Sequence, residues 1–437
     1  MGETLRVGIA GLGTVGASVA RLLARQQESL VARTGRSLAV TGVSARDAAK
    51  DRGVDFGKAR WFDDPVALAK SPDIDLFVEL IGGDEGPARA SVETALSAGK
   101  SVVTANKALL AKHGMALAAL AEKNRAALAF EASVAGGIPV VKTLREGLAG
   151  NSIVRVYGIL NGTCNYILSR MEREELDFDT CLREAQRLGY AEADPTFDIG
   201  GFDTAHKLAI LTSLAFGTAI DAGAVSVEGI ESVTLADLRA AEELGFRVKL
   251  LGVAQKTANG IEQRVHPTMV PRSSAIAAVM GVTNAVTIDA DAVPELTLVG
   301  PGAGGDATAS AVVADIADIA RGIRTSPLGL PTKSLAPAEP VEMSRHEGGY
   351  YVRLDAQDRP GAAAAIATRM AARGISLESI MQRGRRDLPK GEKLPEVMPV
   401  VLITYATTER LIREALADVV ADGFVSGRPQ VIRIERE

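Results

Sequence analysis

Leu5-Arg6-Val7-Gly8-Ile9-Ala10-Gly11-Leu12-Gly13-Thr14-Val15-Gly16 decides the fold. The apolar run over 6–10 reads as a strand. The glycines follow the G-x-G-x-x-G spacing, and 14–25 carries the apolar face of a helix. Each glycine then has its own task. Gly11 allows the tight turn, Gly13 lets a pyrophosphate approach the backbone, and Gly16 lets helix and strand pack closely. Helix N-terminal amides at Thr14 and Val15 offer donors to the phosphates. Outside this context the motif is only a Gly-rich turn; between strand and helix it predicts dinucleotide binding.

Outward from that loop, short apolar runs alternate with Ala-rich helical stretches. Strands are predicted over 6–10, 38–43, 75–81, 101–104 and 127–131, and helices over 14–25, 65–69, 87–98 and 109–123. This alternation predicts an α/β, Rossmann-type, doubly wound parallel sheet over residues 1–132. NAD-binding strands usually end in an acid about 20 residues on, to hold the ribose hydroxyls. Here the second strand ends without one, and Arg46 follows. An arginine suits a 2′-phosphate, so NADP(H) is preferred and NAD(H) stays possible; Arg46 can equally be a solvated loop residue.

Residues 133–305 read as a mixed α/β catalytic and oligomerisation domain, with strands over 157–160 and 246–253 and a helix over 204–216. A second Gly-rich turn, Gly300-Pro301-Gly302-Ala303-Gly304-Gly305, precedes a helical run that is expected to return to the dinucleotide domain over 306–325. Pro327, Pro331, Pro337 and Pro340 mark 326–348 as a linker. The stretch 349–437 has its own strand-helix-strand pattern, long enough for a small independent α+β domain.

A length of 437 residues suits about three domains. The formal net charge of −5 argues against a general nucleic-acid or anionic-membrane surface. Cys164 and Cys181 lie far apart without metal-ligand spacing, so a reducing compartment is the default. No signal-peptide pattern opens the chain, and the longest strongly apolar run, 208–220, is too short for a bilayer of roughly 30 Å. A cytoplasmic protein is expected.

The chemistry gathers in 189–207. Glu192, Asp194 and Asp198 crowd a loop, where their repulsion calls for a cation, an amino-acid ammonium being the better guess. Gly200 and Gly201 then open a helix carrying Asp203 and Lys207 at i,i+4, on one face. Taken alone, that pair is a helix-stabilising ion pair. The flexible glycines, the surplus carboxylates and the apolar run after Lys207 point instead to a partly buried catalytic ammonium. His206 has a rival claim as general acid, but, one residue off that direction, it reads as packing or as a group supporting the site from behind. Lys107, just beyond the strand over 101–104, lies where ligands of open α/β sheets bind; a surface lysine at a helix start is an equal reading.

At this point the chain resembles homoserine dehydrogenase, in the bacterial form with a C-terminal ACT domain. The resemblance rests, in order, on Gly11 to Gly16, Thr104-Ala105-Asn106-Lys107, the segments 131–139 and 160–168, the signature 189–207 and the turn 300–305. It implies reversible NAD(P)H-dependent reduction of L-aspartate 4-semialdehyde to L-homoserine, on the route to threonine and methionine. Lys207 would be the proton donor, Asp203 its partner, Glu192 and Asp198 the substrate contacts, Lys107 a lysine near nicotinamide and substrate, and Gly302 a cofactor contact. It also implies a monovalent cation, usually sodium, at Glu131, Val134, Gly136 and Ile138. The tail, with Asp358-Arg359-Pro360-Gly361 before a helix, resembles a ferredoxin-like ACT regulatory domain, for which L-threonine is the expected effector; a domain serving assembly alone is as good a reading. A homodimer or homotetramer is expected. Two other classes compete: an amino-acid-sensing Rossmann/ACT binding protein with a vestigial site, and a dehydrogenase acting at an α-amino carbon.

Overall fold

The computed structural model describes residues 2–357, 359–382 and 397–435. The N-terminal part comprises β1 (Gly2–Ala10), α1 (Thr14–Arg25), α2 (Gln27–Thr34), β2 (Arg36–Ser44), β3 (Arg60–Phe62), α3 (Pro65–Lys70), β4 (Leu76–Glu79), α4 (Pro87–Ser97), β5 (Ser101–Thr104), α5 (Lys107–Lys123) and β6 (Leu128–Ala129). Its strands are parallel in the order β3-β2-β1-β4-β5-β6. Sheet order therefore reverses between β1 and β4, which opens a crevice at the strands' carboxyl ends. Helices cover both faces, so Val7, Ile9, Phe77, Val78, Val102 and Val103 are all fully buried. Two short elements escaped the sequence reading. Only Leu30 of α2 is buried, and β3 has three residues, too few to show a period.

Next come α6 (Ala132–Ala135), α7 (Val140–Lys142), β7 (Ile153–Ile159), α8 (Gly162–Glu174), α9 (Phe178–Arg187), α10 (Thr196–Ile199), α11 (Phe202–Phe216), β8 (Ser226–Val227), α12 (Leu235–Glu243), β9 (Phe246–Thr257), β10 (Gly260–Pro271), β11 (Thr283–Ala290), β12 (Leu296–Pro301) and α13 (Gly305–Ala320). The strands β12-β11-β7-β9-β10 form an antiparallel sheet. Helix α11 is buried on it and carries Asp203 and Lys207. Helix α13 leaves this domain and packs on α1, where Val312 and Ile316 share a core with Val7, Ile9 and Val19. Gly305 makes the approach possible: a Cβ there would lie 2.9 Å from Thr14 Cγ2.

The C-terminal part holds β13 (Glu347–Gln357), α14 (Ala362–Ala372), β14 (Leu377–Gln382), β15 (Val397–Thr404), β16 (Thr407–Thr408), α15 (Glu409–Ala421) and β17 (Val425–Ile434), in the ferredoxin-like order β17-β13-β15-β14. Asp358 lies outside the described residues. One expectation is corrected here: this domain is not independent. Strand β17 pairs in parallel with β10, Thr268 opposite Arg433 and Met269 opposite Ile434, which joins both domains in one eleven-stranded sheet. The proline-rich stretch before it is not a free tether either. Ala336 exchanges backbone bonds with Gly217 and Ala219, and Thr332 binds Glu122. Among the described residues no helix is long and apolar enough to cross a membrane.

Candidate active site

The cofactor crevice is built by glycines that tolerate no side chain. Gly11 has φ +94°, and a Cβ on it would stand 2.2 Å from the Leu80 carbonyl oxygen. A Cβ on Gly16 would stand 2.0 Å from the Gly11 oxygen, whereas Gly13 faces open space at the start of α1. No side chain caps that helix, so its first amides are free for a ligand. The second Gly-rich turn closes in from the side. A Cβ on Gly136 would meet the Gly302 oxygen at 2.4 Å, and one on Gly302 would meet Asn284 Nδ2 at 2.0 Å.

Facing this crevice, one carboxylate holds two ammonium groups. Asp203 Oδ2 lies 2.7 Å from Lys207 Nζ, and Oδ1 lies 2.8 Å from Lys107 Nζ. The Lys207 ammonium also donates to the Leu160 carbonyl oxygen at 2.7 Å. Asn161 Nδ2 donates to Asp203 Oδ2 at 3.0 Å and to Asp198 Oδ1 at 2.8 Å, while its Oδ1 caps α8 at the Cys164 amide. Burial opposes ionisation of Asp203, but the Lys207 and Lys107 charges outweigh it and hold the carboxyl below its ordinary range. Burial also pulls Lys207 down, against the pull of Asp203 and helped by repulsion from Lys107. Asp198 is pushed up, chiefly by burial, with Asn161 opposing and Asp203 adding to the rise.

A dinucleotide crevice facing a buried ammonium is suited to hydride transfer to a carbonyl, and the chain matches known proteins. Residues 139–317 match the family described as homoserine dehydrogenase, residues 11–131 its NAD-binding domain, and residues 350–418 the ACT domain. The chain belongs to the homoserine dehydrogenase family. A homoserine dehydrogenase from Pseudomonas aeruginosa is 44% identical over 442 residues, covering 99% of both chains. The crystal structure of one from Thiobacillus denitrificans superposes with a TM-score of 0.92 at 43% identity, covering 99% of each chain. A hyperthermophilic archaeal homoserine dehydrogenase mutant in complex with NADPH matches at a TM-score of 0.62 and 29% identity, over 73% of this chain and 98% of that one. The protein is thus an oxidoreductase with an NAD(P)-binding domain, interconverting L-aspartate 4-semialdehyde and L-homoserine, and a vestigial binding protein is not favoured.

Within this homoserine dehydrogenase fold, the residues of the 189–207 signature part company. Asp198 and Asp203 converge on Asn161. Asp194 turns away to bind Thr196, and Glu192 is exposed, its backbone oxygen accepting from Gln186. The three carboxylates that crowd the loop in sequence thus point in different directions. His206 stands against Phe197 with ring centroids 5.3 Å apart, consistent with packing, although its buried Nδ1 has no hydrogen-bond partner. Asn161 was missed as a site residue. It lies in the segment 160–168 that carries the resemblance, but by itself an Asn before a helix looks like an ordinary cap. Arg52 was missed as well: it donates to the carbonyls of Leu12, Lys50 and Asp47 and stacks 5.6 Å from the Trp61 centroid, whereas Arg46 is exposed.

The buried Glu131 carboxylate accepts the amides of Val141 and Lys142, each at 2.8 Å, and Asp315 accepts the Glu131 amide. Burial and the neighbouring Asp315 charge push Glu131 up to about 7. Among the described residues no group of three or more His, Cys, Asp or Glu side chains could hold a metal ion.

Proposed function

We propose that Lys207 is the proton donor to the aldehyde oxygen of L-aspartate 4-semialdehyde. The observation that carries this is the sharing of Asp203 between a buried and a half-exposed lysine. An ammonium has three N–H donors. Two of those on Lys207 are taken by Asp203 and Leu160, leaving one for the substrate oxygen. A nicotinamide held in the crevice would supply the hydride. As charge develops on the oxygen, Lys207 stabilises it and then gives up its proton, completing the alcohol. Lys107 reaches across from the start of α5 and keeps Asp203 ionised from the cofactor side. Asp198, with Glu192 at the mouth, is read as the pair receiving the substrate's ammonium and hydroxyl.

NADP(H) is the favoured cofactor in this reading. Its phosphates fit the free amides at Gly13, Thr14 and Val15, with Gly11, Gly16 and Gly302 keeping the crevice open. Its 2′-phosphate would meet the positive charge of Arg46 and Arg52 beyond β2. Arg46→Ala together with Arg52→Ala should raise KM for NADPH and leave that for NADH unchanged. A monovalent cation suits the buried oxygen set of Glu131 with the carbonyls of Val134, Gly136 and Ile138: these are hard donors, and a cation would offset the like charge of Asp315. L-Threonine acting through the ACT domain, pairing of chains through the middle domain, and a reducing cytoplasmic setting for the free Cys164 and Cys181 complete the proposal.

The test is NADPH oxidation with L-aspartate 4-semialdehyde by wild type and Lys207→Ala, with and without L-threonine. Turnover lost in the variant, with its fold retained, supports the assignment. Near wild-type turnover in Lys207→Ala removes Lys207 from the role.

A further inference from the structure

The turn between the two substrate-side carboxylates rests on a strip of backbone that the C-terminal domain holds from behind. Ile199, Gly200 and Gly201 link Asp198 to Asp203. The Ile230 amide donates to the Ile199 oxygen at 2.9 Å, and a Cβ on Gly229 would stand 2.4 Å from that same oxygen and 2.8 Å from Gly200 Cα. Gly201, at φ +88°, lies so close that a Cβ would be 3.1 Å from Val227. At Gly229 and Ile230 the strip is therefore in direct backbone contact with the turn, while Gly201 packs on the side chains of Val227 and Val265.

Its other face belongs to Glu228. The Glu228 amide is fixed by the Val265 oxygen at 2.8 Å. Its carboxylate receives Arg433 of β17 at 2.9 Å and Arg413 of α15 at 3.4 Å. Both arginines are also bound to the buried Glu409, Arg433 at 2.6 Å. The clamp thus belongs to the C-terminal domain where α15 meets β17. A cavity of about 920 Å³, lined by Glu228, Gly229 and Glu231 on one wall and by Arg413, Arg428 and Arg433 on the other, borders it. The strip lies between this cavity and the substrate turn.

We propose that Glu228 is a positioning residue: clamped by Arg433 and Arg413, it sets the place of Gly229 and Ile230, and through them aims Asp198 at the substrate and Asp203 at Lys207. The C-terminal domain is on this account part of the scaffold of the reaction site even with no effector present. The inference rests on the reading of Asp198 as a substrate contact.

Four variants test it, through KM for the aldehyde, KM for NADPH and the melting temperature. Glu228→Gln keeps the shape and loses the charge. Gly229→Ala pushes the strip against Ile199 directly. Arg353→Lys loosens the same domain seam elsewhere, at Asp237, which Arg353 binds at 2.7 Å. Asp198→Asn is the reference. Glu228→Gln and Gly229→Ala should raise KM for the aldehyde about fivefold or more, an ordinary coupling strength, with KM for NADPH unchanged. Arg353→Lys should lower the melting temperature and leave both KM values alone. A wild-type KM in Glu228→Gln, or an equal rise in Arg353→Lys, overturns the proposal. If Asp198→Asn also leaves KM unchanged, the substrate reading itself falls; if Asp198→Asn raises KM and Glu228→Gln does not, only the positioning role falls.

Discussion

Asp203 and Glu131 are carboxylates of nearly equal burial, 3% and 2% exposed, and they titrate in opposite directions. Asp203 touches two ammonium groups and stays ionised. Glu131 touches two backbone amides and neighbours Asp315, and its carboxyl rises to about 7. Burial raises both, so burial cannot explain the difference. The neighbouring charges decide it: paired lysines make Asp203 a fixed anion that can organise a proton donor, while a neighbouring acid leaves Glu131 short of positive charge.

The largest effect should come from breaking the Asp203 side. Lys207→Ala is expected to cut turnover by about 10²–10⁴-fold, the usual worth of a positioned proton donor, with KM for NADPH little changed; steady-state kinetics measures both. Asp203→Asn should be nearly as severe and also cost stability, about 3 kcal/mol, because the buried Lys207 loses its partner while the half-exposed Lys107 can turn to water. Denaturant melts at neutral pH would show this, and an unchanged midpoint would mean that Asp203 is not holding the lysines together.

The Glu131 side should show in pH dependence. Its native carboxyl lies above the ordinary value of 4.5, at about 7. Between those values the native state holds a proton that the unfolded chain has released, so this group's contribution makes stability fall as pH rises through the window. Glu131→Gln should remove that fall, worth about 3–4 kcal/mol at about 1.4 kcal/mol per unit. Sodium ions should reduce the fall in wild type, since a bound cation favours the ionised carboxylate, and should do nothing in the variant. Melts across this range in sodium and in a bulky organic-cation salt would decide it. The smallest expected effect is that of Lys107→Ala. Lys207 still pairs with Asp203, so kcat/KM should fall only about tenfold.

How much of this was legible beforehand follows the range of each interaction. Gly11 and Gly16 could be read because their constraint is local: each would clash with backbone a few residues away or on the adjoining strand. Asp203 and Lys207 could be read because four residues make one helical turn. The Lys107 contact joins residues from different domains, and only strand-end logic and the family resemblance pointed to it. Asn161 looked like a cap and is one, but its other amide end binds both acids. In the loop before α11, clustering in sequence does not say which way Glu192 and Asp194 turn. Parallel pairing of β10 with β17 left no local trace, so the C-terminal domain seemed separate.

The most direct test of the account is the pH dependence of kcat for aldehyde reduction in wild type, Asp203→Asn and Lys107→Ala. Reduction needs Lys207 protonated, so activity is lost on the alkaline side as that ammonium titrates. Losing the Asp203 charge should move the alkaline limb to lower pH, and losing the Lys107 charge should move it to higher pH. Opposite shifts of this kind are the predicted result. An alkaline limb that stays in place in both variants would contradict the claim that Asp203, held between two lysines, sets the proton donor.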